Sequence, residues 1–127
     1  ADIPRLQRLA HPDATAVAHS RLCGSKVTVD LKMDQGVVSD FGQDVKACAL
    51  GQASASVLGR VVLGRSLAEL EAARDALRAM LKEGGPVPAA PFDGYEVLLP
   101  ARDYKNRHAS ILLALDAVCE AMAAEKK

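Results

Sequence analysis

The clearest pattern in the chain is a strict alternation of apolar and polar residues over positions 27–34. Four apolar residues alternate with four polar ones, Val27 with Thr28, Val29 with Asp30, Leu31 with Lys32 and Met33 with Asp34. This period of two predicts a strand with one buried face. The triplet Asp34–Gly36 predicts a tight hairpin turn, since glycine tolerates positive φ. Val37–Val45 is then the return strand, and Ala14–Ser20 is a weaker strand candidate.

Three helices are predicted after the hairpin. Small and apolar residues recur at helical spacing over Leu50–Gly64. The sequence Ser66–Glu69 has the form of a capping box, which predicts the start of a second helix that stops at Gly84–Pro86. The last helix is predicted from near Arg107 to about Ala124.

These elements predict a single α+β domain over residues 1–127, with a three-stranded antiparallel meander and helices packed on one face of the sheet. Two less regular pieces complete the prediction. Ile3–Ala10 is interpreted as the stub of a short helix. Pro86–Pro100 is interpreted as a proline-rich loop with a short extended piece at Tyr95–Leu99.

Composition narrows the function classes. The 127 residues include 16 Lys and Arg against 16 Asp and Glu, so the chain lacks the basic surface that a nucleic-acid binder needs. No polybasic segment, bilayer-length apolar run or signal-peptide pattern is present. Three cysteines are too few for a secreted disulfide framework. We therefore expect no nucleic-acid or membrane partner and a cytoplasmic location; the first residue is Ala1 rather than Met, which is compatible with a segment upstream.

Two of the cysteines are predicted to lie at the same end of the hairpin. Paired residues in a hairpin have numbers with a nearly constant sum, here about 70–71, which places Asp30 near Phe41. The numbers of Cys23 and Cys48 also add to 71, so both belong at the open end. Two alternatives remain for this pair. The cysteines could be small buried hydrophobes, or they could form a disulfide, which a reducing compartment disfavours.

The local context of each cysteine favours a site. Cys48 lies where the return strand meets the small-residue helix, and a helix N-terminus favours the thiolate that binds metals and attacks sulfur. The small residues of that helix also allow other groups to approach closely. Cys23 precedes Gly24 in a turn, where glycine lets the backbone bend around a ligand.

The three histidines and the third cysteine are the other candidate ligands. His108 stands at the head of the last helix, either as a polar end residue or as a third ligand. Cys119 is about 16 Å further along that helix and shares a stripe with core residues, so we interpret it as a core cysteine. His19 is a spare ligand candidate, and His11 is assigned no role. Cys23, Cys48 and His108 form a ligand set suited to zinc or an iron–sulfur cluster, one short of the usual four.

Three stretches of the sequence resemble the NifU/IscU/SufU-type iron–sulfur cluster scaffolds. Leu22–Ser56 resembles the family signature, in which a Cys-Gly-Asp turn precedes a hairpin and a second cysteine opens an Ala- and Ser-rich helix. Gly64–Leu70 resembles the family's Gly-Lys-Ser/Thr-Leu helix start. The segment from Leu98 to Val118 resembles the last part, where a Leu-Pro stretch leads to the third cysteine.

The resemblance assigns roles where residues match. Cys23 and Cys48 match two of the three cluster-binding, sulfur-accepting cysteines, and Cys48 is the expected sulfur acceptor. His108 matches the histidine before the third cysteine, whose place is taken here by Ala109. A register shifted by one residue would put His108 itself in that place. Ser25 replaces the family's Asp.

The resemblance implies a scaffold that accepts sulfur and iron, assembles a transient [2Fe–2S] cluster and transfers it, rather than an enzyme. The implied partners are a cysteine desulfurase, an iron donor and acceptor apo-proteins. An Hsp70-type chaperone is less expected, since Leu99–Asp103 matches the chaperone-recognition stretch only in part. The missing ligand is expected from a second subunit, a small thiol or one of four side chains, namely Ser25, His19, Asp44 and Asp103.

Two alternatives to the scaffold remain open. Ala109 and Ser25 favour a zinc-binding, SufU-like sulfur acceptor or regulator that no longer builds clusters. A thiol enzyme that uses Cys48 with His108 as base is the third hypothesis.

Overall fold

In the computed structural model of the protein, which describes residues 3–21 and 24–125, the hairpin and its neighbour form one sheet. The strands are β1 (Ala14–Ser20), β2 (Ser25–Asp34) and β3 (Val37–Lys46). They are antiparallel in the order β1-β2-β3. Gln35 and Gly36 form the turn between β2 and β3, both with positive φ. The predicted meander is therefore confirmed.

The register of the hairpin differs by one residue from the prediction over most of its length. Near the turn Asp34 pairs with Val37, as a constant sum of 71 requires. A bulge between Lys32 and Met33 shifts the pairing further from the turn, so that Asp30 lies opposite Gly42 rather than Phe41. A β-bulge inserts one extra residue in one strand, and no local alternation in the sequence marks it.

Three α-helices follow, as predicted. They are α1 (Ala49–Val61), α2 (Leu67–Lys82) and α3 (His108–Glu125). Ser66 caps α2, because its side chain accepts from the Glu69 N–H while the Glu69 side chain accepts from the Ser66 N–H. This reciprocal pair is the predicted capping box.

The face of the sheet that carries Val27, Val29 and Leu31, each 1% exposed or less, is covered by α3, and α1 and α2 pack against α3. Helix α3 is central, since it contacts β1, β2, α1 and α2. It is apolar nearly all round, as a helix surrounded by other elements must be. Within the described ranges, no helix combines the length and apolar character needed to cross a membrane.

The extended piece predicted at Tyr95–Leu99 is wrong. The chain over Asp93–Asp103 forms a 3₁₀ helix, and a second short one covers Lys105–Arg107. Tyr95 is buried within the first, and Pro100 also lies inside it. Proline lacks the N–H that a regular helix would need there, and its fixed φ is compatible with a tighter turn.

The predicted helix stub at Ile3–Ala10 is also wrong. Residues 3–13 run without regular structure from α1 around β3 and across the outer face of the sheet. The backbone O of Arg5 accepts from Gln43 N–H in β3 at 3.0 Å. A Cβ on Gly42 would collide with the Gln7 carbonyl, so this segment lies directly on the strand.

The outer face of the sheet buries a carboxylate beneath this N-terminal segment. The side chain of Asp30 is fully buried and pairs with Arg8 Nε at 2.5 Å. It also accepts hydrogen bonds from Arg8 Nη2, from the Leu9 N–H at 3.0 Å and from Thr15 Oγ1 at 2.5 Å. Burial alone would raise the pKa of Asp30, but the bonds from Arg8, Thr15 and Leu9 outweigh it and lower the pKa. Asp30 therefore holds the N-terminal segment on the sheet.

The free edge of β3 meets a second segment nearer the turn. The N–H of Val38 donates to Arg65 O at 3.0 Å, and Gly64 N–H donates to Val38 O at 2.8 Å. Val37 and Ser66 form an isolated bridge beside them. The connection between α1 and α2 thus runs along the edge of β3.

Candidate functional site

Cys48 lies at the open end of the hairpin, two residues beyond the end of β3. The β2–β3 ladder ends at the pair Lys26–Lys46, and the same offset continued by two residues sets Gly24 opposite Cys48. Gly24 is exposed with φ of +67°, a backbone conformation that suits glycine. Cys23 lies outside the described residues, so its proximity to Cys48 stays a prediction.

Cys48 is the N-cap residue of α1 and is partly exposed. It is a free thiol, and its Sγ lies 3.6 Å from the Ser110 Oγ at the start of α3. Ser110 Oγ lies in turn 3.0 Å from Ser25 Oγ at the start of β2. Both serines are almost completely buried, at 1% and 2% exposure. The starts of α1 and α3 therefore meet at the Cys48 sulfur, and the start of β2 reaches it through Ser110.

Several donors and one cation act on the Cys48 thiol. Burial raises its pKa, but the Gly51 N–H, the Ser110 hydroxyl, the Leu50 N–H and the charge of Arg107 together lower it below the ordinary value of a cysteine. Neither amide reaches the geometry of a cap hydrogen bond to the sulfur. Their effect is that of aligned N–H dipoles at a helix start, which favour the thiolate as predicted.

The close approach of α1 and α3 depends on small residues. A Cβ on Gly51 would lie 2.6 Å from Ser110 Oγ and 2.7 Å from the Ala47 Cβ, which is too close for real atoms. One turn further on, the buried hydroxyl of Ser54 donates to Ile111 O at 2.5 Å. The small residues of α1 thus bring the start of α3 against Cys48.

His108 faces a different neighbour from Ser110. It is 2% exposed, and its Nε2 lies 3.0 Å from the Ala101 carbonyl, so Nε2 must carry the proton and donate. Residues two apart on a helix point about 200° apart. Since Ser110 faces Cys48, His108 points toward the 3₁₀ helix, and Ala109 between them is exposed. The structure describes no contact between His108 and Cys48, so a shared metal stays a prediction.

The four side chains considered as an extra ligand lie in different places. Ser25 is joined to Cys48 through Ser110, as described above. His19 is exposed on β1 beside a cavity that Ser25 also lines. Asp44 is exposed and pairs in register with Thr28, and its charge acts on Arg8 at the outer face.

Asp103 is exposed at the end of the 3₁₀ helix. Over residues 3–21 and 24–125, no three His, Cys, Asp or Glu side chains are grouped so that they could hold a metal ion.

Cys119 belongs to the core, as predicted. It is 3% exposed on α3, and burial raises its pKa to about 11. Its thiol is therefore both less accessible and less ionised than that of Cys48.

This contrast between Cys48 and Cys119 predicts selective alkylation. At neutral pH, Cys48 is expected to react with iodoacetamide at least about tenfold faster than Cys119, because the thiolate is the reactive form. Mass spectrometry of the peptides that contain each cysteine measures both rates in one sample. Equal rates in folded protein would contradict the environment described for Cys48.

The sequence interpretation missed Ser110 and Arg107 as neighbours of Cys48. One signal was present for the hydroxyl pair: Ser25 shares the strand face of Val27 and Val29, so it had to point toward the helices. Nothing in the local sequence told which helix start it would meet. Arg107 precedes α3, and only the packing of that helix brings its charge near the thiol.

Known proteins are similar to this chain in sequence and in fold. Residues 4–122 match the family model described as the NifU-like N terminal domain. The crystal structure of a nitrogen-fixing NifU-like protein (N-terminal) from Brucella abortus superimposes with a TM-score of 0.95. It is 54% identical, and the match covers 98% of this chain and 87% of that chain.

Two further relatives are more distant. The iron–sulfur cluster assembly scaffold protein IscU of Thermotoga maritima is 33% identical over 60 residues, which span 46% of this chain and 42% of that relative. A putative iron–sulfur cluster assembly scaffold protein for the SUF system from Fervidobacterium islandicum has the same fold. Its TM-score is 0.81 at 18% identity, over 93% of this chain and 86% of that one. The family model spans nearly the whole described chain, and the chain therefore belongs to the NifU-like N-terminal domain family.

Proposed function

We propose that this chain is an iron–sulfur cluster assembly scaffold and that Cys48 is its sulfur acceptor. The observation that carries the proposal is the environment of Cys48, a partly exposed thiol with a lowered pKa at the convergence of α1, α3 and β2. The relatives from Thermotoga and Fervidobacterium carry names that include cluster assembly, which supports the same function here.

In this proposal the cluster is cargo, and the chain supplies donors to hold it for a time. Cys48 and Cys23 provide thiolates, the preferred protein ligands of iron–sulfur clusters. His108 completes the set through Nδ1, since Nε2 donates to Ala101 O. A metal-binding histidine usually binds the metal through one ring nitrogen and donates the N–H of the other to a carbonyl or carboxylate, which orients the ring. The His108 side chain or the start of α3 would have to turn for Nδ1 to reach the cluster.

The proposed role is that of a stoichiometric carrier rather than an enzyme. A cysteine desulfurase would supply sulfur, a donor would supply iron, and apo-proteins would accept the finished cluster. The thiol of Cys48 must stay reduced, which suits the cytoplasm. An Hsp70-type chaperone is a less expected partner, because Leu99–Asp103 matches the chaperone-recognition stretch of the family only in part and Ala101 within it is buried.

Anaerobic reconstitution tests the proposal. Purified chain is incubated with ferrous iron, a cysteine desulfurase, cysteine and dithiothreitol, which reduces persulfide sulfur to sulfide, and is then separated from unbound iron. A scaffold is expected to acquire the visible absorbance of a [2Fe–2S] cluster, with iron and sulfide in equal amounts. A chain that stays colourless and binds no iron would contradict the proposal.

A zinc-binding sulfur acceptor is the second candidate, and one feature favours it. The place of the third family cysteine is the exposed Ala109, and the hydroxyl of Ser25 is hydrogen-bonded to Ser110. With fewer soft donors, the site would suit a metal that needs no cluster chemistry. Metal analysis of the same preparation separates the two, because tight zinc without a chromophore supports only this candidate.

A further inference from the structure

Two buried hydroxyls lie in a row that ends at Cys48, and a third belongs to the neighbouring strand. Ser110 contacts the Cys48 sulfur, and Ser25 contacts Ser110 at 3.0 Å. Ser20 pairs with Ser25 across β1 and β2, and it is 5% exposed. Its Oγ has no hydrogen-bond partner among the described residues. Ser20 and Ser25 line one cavity of about 440 Å³ with Gly24.

When the Cys48 sulfur is negatively charged, it is clear which group donates in each hydrogen bond of the row. A thiolate can only accept, so the Ser110 hydroxyl must donate to Cys48. The Ser110 oxygen then accepts from the hydroxyl of Ser25. Hydrogen bonds in such a chain polarise and strengthen one another, and a bond to a charged acceptor is stronger than one between neutral groups.

The buried hydroxyl of Ser20 lies next to this row but makes no hydrogen bond to it. An unpartnered polar group in the interior is costly, and few remain in folded proteins without a reason. Ser20 lies beside Ser25 at this cavity, but its Oγ is enclosed by protein atoms, so the hydroxyl is not open to a group that enters. The donors that act on the Cys48 sulfur are therefore the hydroxyl of Ser110 and, through it, that of Ser25.

We propose that Ser110 is a catalytic donor to the sulfur of Cys48 during sulfur acceptance, with Ser25 as its positioning residue. The proposal rests on the proposed function, since it describes how the acceptor sulfur is held. The atom that is transferred to Cys48 is the sulfane sulfur of a persulfide donor.

The step balances without an added oxidant or reductant. The Cys48 thiolate attacks the sulfane sulfur of a donor persulfide, and a new S–S bond forms at Sγ. The S–S bond of the donor breaks, and its electron pair leaves with the donor as a thiolate. The proton of the donor persulfide stays on the transferred sulfur or goes to water. The new S–S bond is about 2 Å long, so the transferred sulfur stays near the Ser110 hydroxyl.

Inorganic polysulfide, which needs no partner protein, is the probe. Persulfide on the Cys48 peptide is measured by mass spectrometry as it forms, and again as dithiothreitol removes it. Ser110→Ala is expected to form the persulfide about tenfold more slowly and also to lose it more slowly, because the donor stabilises the Cys48 thiolate, which attacks in one direction and leaves in the other. Ser25→Ala is expected to show a smaller change in the same direction, since it acts only through Ser110.

Ser54→Ala is the matched control. It removes another buried hydroxyl at the same α1–α3 contact, bonded to Ile111 O and not to sulfur. Thermal unfolding of each variant shows that the comparison is made on folded protein. If Ser110→Ala matches the wild type, or if Ser54→Ala slows the reaction as much, Ser110 acts in packing and the proposal is wrong.

The result is independent of cluster building. A chain that accepts sulfur through Ser110 but acquires no [2Fe–2S] cluster would keep this inference and overturn the scaffold. If the wild-type chain builds a cluster but Ser110→Ala forms and loses the persulfide as the wild type does, the scaffold function stands and this inference is wrong.

Discussion

Replacement of Cys48 by alanine is expected to abolish the visible absorbance that the reconstituted wild-type chain acquires. Of the two described thiols, that of Cys48 is partly exposed and has a lowered pKa, whereas that of Cys119 is buried and has a raised pKa. Without it, the start of α1 offers N–H groups and the hydroxyl of Ser110, none of which binds iron as a thiolate does. We expect less than about a tenth of the wild-type cluster to form, since thiolates are the usual cluster ligands.

Cys119→Ala is the matched control for the loss of a thiol. Its side chain lies in the core at 3% exposure, so this variant is expected to lose some stability but to keep its cluster. Iron and sulfide per folded chain, with the absorbance spectrum, provide the measurement. A cluster of normal yield in Cys48→Ala would show that another residue holds it and would remove Cys48 from the site.

Replacement of Asp30 by alanine is expected to give the largest loss of stability, about 3 kcal/mol in the free energy of unfolding at pH 7. The change removes an ion pair and leaves the donors of Arg8, Leu9 and Thr15 without their acceptor. Breaking a fully buried pair costs about 3–5 kcal/mol. Arg8 is 54% exposed and can turn to water, which places the estimate at the lower end.

The loss should depend on pH. The pKa of Asp30 is lower in the folded chain than in the unfolded chain, so over that interval the unfolded state binds more protons. The stabilisation is therefore complete above about pH 5 and is lost as the pH falls below the ordinary aspartate pKa of about 3.9. Urea unfolding at pH 7 and pH 3 is expected to show a difference between wild type and Asp30→Ala that shrinks at the lower pH.

Asp75→Ala serves as the control for this prediction. Asp75 is 63% exposed and pairs with Arg74 and Arg78 on the surface of α2. Surface ion pairs contribute about 0–1 kcal/mol. If Asp30→Ala were no more destabilising than Asp75→Ala, Asp30 would not be the anchor of the N-terminal segment.

The elements that could be predicted from the sequence are those set by local chemistry. Alternation over 27–34 gave β2, and the Ser66–Glu69 pair gave the start of α2. The course of residues 3–13 could not be predicted, because it is fixed by bonds to Asp30 and Gln43, far away in the chain. For the same reason Asp30 looked like a solvent-facing position of β2 although it is buried.

In the candidate site, too, the features set by local sequence could be predicted, and those set by helix packing could not. The placement of Cys48 at a helix start followed from the change between strand and small-residue pattern, and the structure has it there. Ser110 as its neighbour follows from the packing of α1 on α3, which no local pattern encodes. The expectation for His108 used its position at the helix head, whereas its direction depends on the rotation of α3.

The two segments that run along β3 also affect association between molecules. An edge strand with free N–H and C=O groups is a template for pairing with another chain. Here the groups of Val38 and the N–H of Gln43 are already paired with the chain's own backbone. Of the two outer strands, β1 has no described segment along its free edge, so strand-to-strand aggregation would start there. A solubilising lysine would therefore be most useful on β1.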